Sequence, residues 1–172
     1  MDILELIDDA TARLAEAAVG MTGEEIAAPS LLPGWTRGHV IAHVACNADA
    51  LRNLLIWART GVETPSYASQ AARDGAIEAG ARRSAAELAA DLRESGAAFS
   101  AEAAIFPERA GQVMVSMLDG VGFPADRLLP RRLVEVELHY TDLGCGYTRA
   151  DWPAAFAELE LPEPMRTFRS TR

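Results

Sequence analysis

Apolar residues recur every three to four positions along most of this chain, and that spacing makes helices its main building material. Ile3, Leu4, Leu6, Ile7, Ala10, Leu14 and Ala17 mark a first helix over about 2–19. Gly20, Pro29 and Pro33-Gly34 break the pattern, and Thr22-Gly23-Glu24-Glu25 has the capping-box form that starts one short turn. Thr36 is a good N-cap, with Trp35 and Val40 at the two positions of a hydrophobic staple. Val40, Val44, Leu51, Leu54 and Leu55 line one side of the helix it opens, and Gly61 stops it, giving about 37–60. The turn-rich Glu63-Thr64-Pro65-Ser66 leads into a helical stretch over about 68–80. A second capping box, Ser84-Ala85-Ala86-Glu87, opens a helix over about 85–104 with Leu88, Leu92 and Phe99 inward. Residues 105–128 read as irregular, with one short strand at Val113 and Val115. Pro130 suits a first helical turn, so another helix runs over about 130–143 and stops at Gly144. A last short helix is expected over 153–160, and Glu163-Pro164 to Arg172 reads as a loose tail. Four long helices with connections of differing length predict an all-α four-helix bundle, with irregular connections and a short C-terminal helix.

Composition agrees. Of 172 residues 33 are alanine, and all 16 basic residues are arginine; alanine is the best helix former and arginine stands close behind. The length suits one domain. The net charge of −9 argues against a nucleic-acid partner, since Arg82-Arg83 and Arg131-Arg132 are too short to make a basic field. Cys46 and Cys145 do not form a disulfide framework. The acidic start Met1-Asp2-Ile3-Leu4-Glu5 is unlike a signal peptide, and no run of about 18 apolar residues spans a membrane. The expectation is a cytoplasmic protein.

The chemistry-bearing residues fall on two helices. Glu135 and His139 stand at i and i+4, so both project from one face, and Arg131 and Asp142 extend that stripe. Leu133, Val134, Val136, Leu138 and Leu143 flank it. His39 and His43 are likewise i and i+4, with Asn47 continuing the line. A buried carboxylate needs a cation or a metal. If His43, Glu135 and His139 meet across two packed helices, they make a two-imidazole, one-carboxylate set with an open fourth position, as in catalytic zinc sites. Spacing alone reads more simply as a solvated polar stripe, and it raises the metal set without establishing it. His39 reads more simply as a helix-start residue, Cys46 as a small buried side chain, and Arg73-Asp74 as a surface pair. Trp35, Trp57 and Trp152 read as core or staple residues.

Several blocks resemble one family in order. They are Leu32-Pro33-Gly34-Trp35-Thr36-Arg37-Gly38-His39-Val40-Ile41-Ala42-His43-Val44, then Asn47, Asn53, Trp57-Ala58-Arg59-Thr60-Gly61 and Glu63-Thr64-Pro65, and finally Glu135-Val136-Glu137-Leu138-His139-Tyr140-Thr141-Asp142-Leu143-Gly144. Together they resemble the N-terminal domain of mycothiol-dependent maleylpyruvate isomerases, a DinB-like metal-binding four-helix bundle. The resemblance covers residues 1–147 and leaves 148–172 unmatched, with the family's C-terminal α/β domain absent. It implies zinc held by His43, Glu135 and His139, with His39 not a ligand. It further implies that Arg73 and Asp142 stand at polar active-site positions. The implied cofactors are zinc and mycothiol, and the implied substrate is a small diacid, maleylpyruvate, isomerised to fumarylpyruvate in gentisate breakdown. A mycothiol S-transferase or a non-catalytic metal-binding module are the alternatives. The alanine and arginine bias fits a GC-rich actinobacterial source, where mycothiol belongs.

Overall fold

Each long helix forms where its spacing predicts, and most begin at the predicted cap. In chain order they are α1 (Ile3–Val19), α2 (Gly23–Ala27), α3 (Arg37–Thr60), α4 (Gln70–Gly80) and α5 (Ala85–Ala104), followed by β1 (Met114–Ser116), β2 (Gly122–Pro124), α6 (Leu128–Asp142), α7 (Ala154–Ala157) and α8 (Met165–Ser170). The structure is a computed structural model and describes residues 2–172. Thr22, Thr36 and Ser84 each accept a hydrogen bond from the backbone N–H three residues on, satisfying a donor that the first turn leaves free. At Thr36 the return arm of the capping box is His39, whose Nδ1 accepts from the Thr36 N–H at 3.3 Å. Gly61 ends α3 with φ of 74°, a left-handed value that favours glycine.

α1, α3, α5 and α6 make the four-helix bundle, and α4 lies on the outside of α3. Leu14, Ile41, Leu51, Leu88, Leu92, Phe99, Leu133 and Val136 fill its core. No helix among the described residues is long and apolar enough to cross a membrane.

Small residues set how closely α4 approaches α3. A Cβ at Gly38 would stand 2.7 Å from the Ala81 carbonyl oxygen, and one at Gly80 would stand 2.7 Å from the Ala42 Cβ. Gly38→Ala should therefore push backbone against backbone and cost about 1–3 kcal/mol. Gly75, also on α4, has open space around its Cβ position. Gly75→Ala should instead stabilise by about 0.5–1 kcal/mol, the helical advantage of alanine. Urea unfolding of both variants checks this, and midpoints that move in the same direction contradict the close-approach account.

The irregular segment holds two strands rather than one. Val115 pairs with Phe123 in an antiparallel hairpin and is buried, while Met114 and Ser116 pair with Pro124 and Gly122. The second strand, Gly122-Phe123-Pro124, carries no alternation of its own, so only its partner gave a signal.

The tail from 163 to 172 is not loose, contrary to the sequence expectation. α8 packs on α6 with Met165 buried. Arg169 donates from Nη1 to the Phe156 carbonyl at 2.5 Å and lays its guanidinium 5.7 Å from the centre of the Phe156 ring. The anchors are one methionine and one arginine on a helix too short to show periodicity. Nearer the bundle, Tyr147 donates to Glu137 at 2.7 Å and stacks on Tyr140, and Trp152 donates from Nε1 to Thr141 at 3.0 Å. These contacts cover the back of α6. There Glu137 is buried and also receives Arg13 at 2.5 Å.

Candidate metal centre

The opposite side of α6 faces α3, and the two polar stripes meet there. Glu135 Oε2 lies 3.4 Å from His43 Nε2 and 3.2 Å from His139 Nε2. The two imidazoles stand edge to face, with ring centres 4.8 Å apart. One ligand atom from each residue lies within 4.8 Å of the other two. A tetrahedral ion with bonds of about 2.0–2.1 Å holds its donors about 3.3–3.4 Å apart. The carboxylate–imidazole separations of 3.4 and 3.2 Å lie at that value and just below it. Two imidazoles and one carboxylate are also donors that suit a divalent ion of zinc's kind. The residues present fit a metal.

The groups around the three fix their orientation. Asp142 Oδ2 lies 3.0 Å from His139 Nδ1, which turns Nε2 toward Glu135. Trp35 covers His43, with ring centres 5.4 Å apart. Arg73 is more than half of a surface pair. Its Nη1 binds Asp74 at 2.9 Å, and its Nη2 reaches within 3.4 Å of His43 Nδ1. The guanidinium therefore stands at the edge of the site, on the α4 side. His39 stays out, with Nδ1 used at the helix cap and Nε2 3.0 Å from Glu78.

The site is electrostatically tight. Burial opposes a charged Glu135, yet the hydrogen bonds from His139 and His43 hold its carboxyl well below the usual range. Burial likewise opposes a charged His139, but Asp142 and Glu135 outweigh it and push the imidazole up to about 9. Burial wins at His43 and keeps it neutral below its ordinary value. Without a metal, the protonated His139 supplies the cation that the half-buried Glu135 carboxylate needs.

Sequence reasoning missed three residues. Arg132, not Arg131, faces α3. It is fully buried, with Nη1 donating to the Val44 carbonyl at 2.7 Å and to Asn47 Oδ1 at 3.1 Å. Burial pushes its guanidinium down to about 10, while Arg131 turns out over the Phe123 ring. An arginine at i−3 from the ligand carboxylate was the only available signal. Tyr67 buries its hydroxyl near Arg73, and desolvation pushes it up to about 12. Arg172 reaches the site from beyond α8. A cavity of about 230 Å³ opens beside Glu135 and His139, lined also by Val134, Leu138, Phe168 and Arg172, and His43 does not line it. A larger one, about 410 Å³, lies between α3, α4 and α5 against Cys46, Asp49 and Arg83, and none of the three candidate ligands lines it.

The sequence profile described as the mycothiol maleylpyruvate isomerase N-terminal domain matches residues 7–144. The chain belongs to this family. Two solved structures agree with the assignment. One is described as the mycothiol-dependent maleylpyruvate isomerase and the other as a histidine-to-alanine mutant of it. Each is 36% identical, superposes with a TM-score of 0.81, and is matched over 90% of this chain. The maleylpyruvate isomerase fold is thus the fold of this bundle. The chain spans 64% of the length of those isomerase chains. No curated protein matches it significantly.

Proposed function

We propose that this chain binds zinc through His43, Glu135 and His139 and, with mycothiol as its thiol, isomerises maleylpyruvate to fumarylpyruvate. The carrying observation is the convergence of two imidazoles and one carboxylate, with the Arg73 guanidinium beside His43 and a cavity opening against Glu135 and His139. The conjugated double bond must become single to rotate, which reversible thiol addition achieves, and a bound divalent metal supplies the lowered thiol pKa that keeps sulfur nucleophilic at neutral pH. The chain's own thiols do not serve. Burial and the nearby acids Asp49 and Asp91 push the Cys46 thiol up, and Cys145 is exposed on the loop after α6. Arg73 holds a substrate carboxylate through its planar fork. Asp142 holds the His139 Nδ1 proton and keeps Nε2 turned inward. Trp35 keeps water from the His43 side.

Residues 1–147 are proposed as the N-terminal domain of this family, which contributes the three ligands, Arg73 and Asp142. A second reading is conjugation of mycothiol to another electrophile. Purified zinc-loaded protein supplied with mycothiol and maleylpyruvate should convert the cis diacid to the trans diacid, followed by absorbance. An untouched diacid alongside conjugation of an alkylating electrophile makes the chain a mycothiol S-transferase. Reaction with neither leaves a metal-binding module.

A further inference from the structure

The group that orients His139 is itself held by a residue outside the family match. Asp142 is 2% exposed, and its Oδ2 receives His139 Nδ1 at 3.0 Å. Its other oxygen would be buried and unpaired but for Arg172, whose Nε donates to Oδ1 at 2.8 Å and whose Nη2 donates to Oδ2 at 3.2 Å. The fork grips both oxygens and so fixes the plane of the carboxylate. Arg172 is brought there by α8, which the buried Met165 and the Arg169 bond to the Phe156 carbonyl hold against the bundle. The matched residues end at 144, so none of this segment lies within the family profile.

We propose that Arg172 is a positioning residue of the metal centre, acting on His139 through Asp142. A neutral imidazole carries its proton on one nitrogen only. A carboxylate fixed against Nδ1 demands the proton there and leaves the Nε2 lone pair facing Glu135 and His43. A carboxylate held by one bond can turn about its own axis, and the ring then loses its constraint. Arg172 removes that freedom. The proposal rests on the three-ligand reading of the site. The competing account is that Arg172 only ties the chain down, since its side chain remains 35% exposed.

A double-mutant cycle separates the two. Zinc and cobalt are titrated into the parent, Arg172→Met, Asp142→Asn and the double variant. Arg172→Met should weaken metal binding about 10- to 100-fold, as loss of an outer partner of a ligand does. It should also change the cobalt absorption bands, with partial rescue by Arg172→Lys. In the Asp142→Asn background the same change should add less than about twofold, because independent effects add and coupled ones do not. Parent-like affinity and bands in Arg172→Met overturn the proposal, and so does an equal loss in both backgrounds, which marks a mere tie. A second readout needs no metal. In the metal-free protein the His139 Nδ1–H proton resonance should be sharp in the parent and broadened in Arg172→Met. If the parent takes up no metal, the three-ligand reading falls, and this resonance alone decides the role of Arg172: kept in the variant it overturns the proposal, lost it sustains it.

Discussion

Replacing Glu135 with glutamine should abolish tight metal binding and leave the bundle folded, whereas replacing Glu137 with leucine should do the reverse. The two carboxylates are neighbours in sequence but stand about 200° apart around α6. Glu135 lies between His43 and His139, so the amide removes the one anionic donor of the set. The loss should exceed about a hundredfold, the upper range for an outer partner of a ligand. The core beside it, Leu133 and Val136, is untouched. Glu137 instead receives Arg13 and Tyr147 on the back of the helix. Glu137→Leu leaves both donors without their acceptor and should cost about 1–3 kcal/mol, moderated because the Arg13 side chain is 38% exposed and stays hydrated. Metal content by elemental analysis, affinity by chelator competition and urea unfolding, each on both variants, check this. Equal metal losses in both variants contradict the assignment of Glu135.

The pH dependence of stability should change form when the metal is removed. In the metal-free protein His139 titrates at about 9, above its ordinary 6.5. The folded state therefore keeps a proton that the unfolded chain has lost, and stability falls with pH between those values. The full drop is on the order of 3 kcal/mol, at about 1.4 kcal/mol per pH unit. With metal bound, His139 carries no proton on the nitrogen facing the ion, nor does the unfolded chain above 6.5, so its contribution is flat over the same window. The stabilisation conferred by metal should thus widen as pH rises from 6.5 toward 9, and binding near pH 7.5 should release about one proton. Chemical unfolding with chelator and with excess metal, and calorimetry in buffers of different ionisation enthalpy, measure both. A metal-free stability that rises across this window contradicts the protonated His139.

The helices were legible because each carries its own signal. Thr36, Ser84 and Gly61 act within one or two turns of themselves, and those turns look the same alone or in the bundle. The hairpin and α8 were not, because their partners are remote. Val115 needs Phe123, and the short α8 needs the Phe156 carbonyl and the face of α6. The site divides the same way. The i, i+4 spacing puts Glu135 and His139 on one face by helix geometry, while His43 joins them only because α3 and α6 pack side by side. Arg131 and Arg132 are indistinguishable in sequence, and only the rotation of α6 against α3 buries Arg132 and turns Arg131 out. Arg172, 30 residues beyond Asp142 and joined to it by two hydrogen bonds, left no trace in any local pattern.

The sequence by itself determined the helical bundle and its caps, since periodicity and capping act over a few residues, and its resemblance to a family pointed to the three candidate ligands. Tertiary structure decided which side of each helix meets which, and so which polar groups are buried against one another. Those choices depend on the packing of whole helix faces, which no single stretch of chain contains.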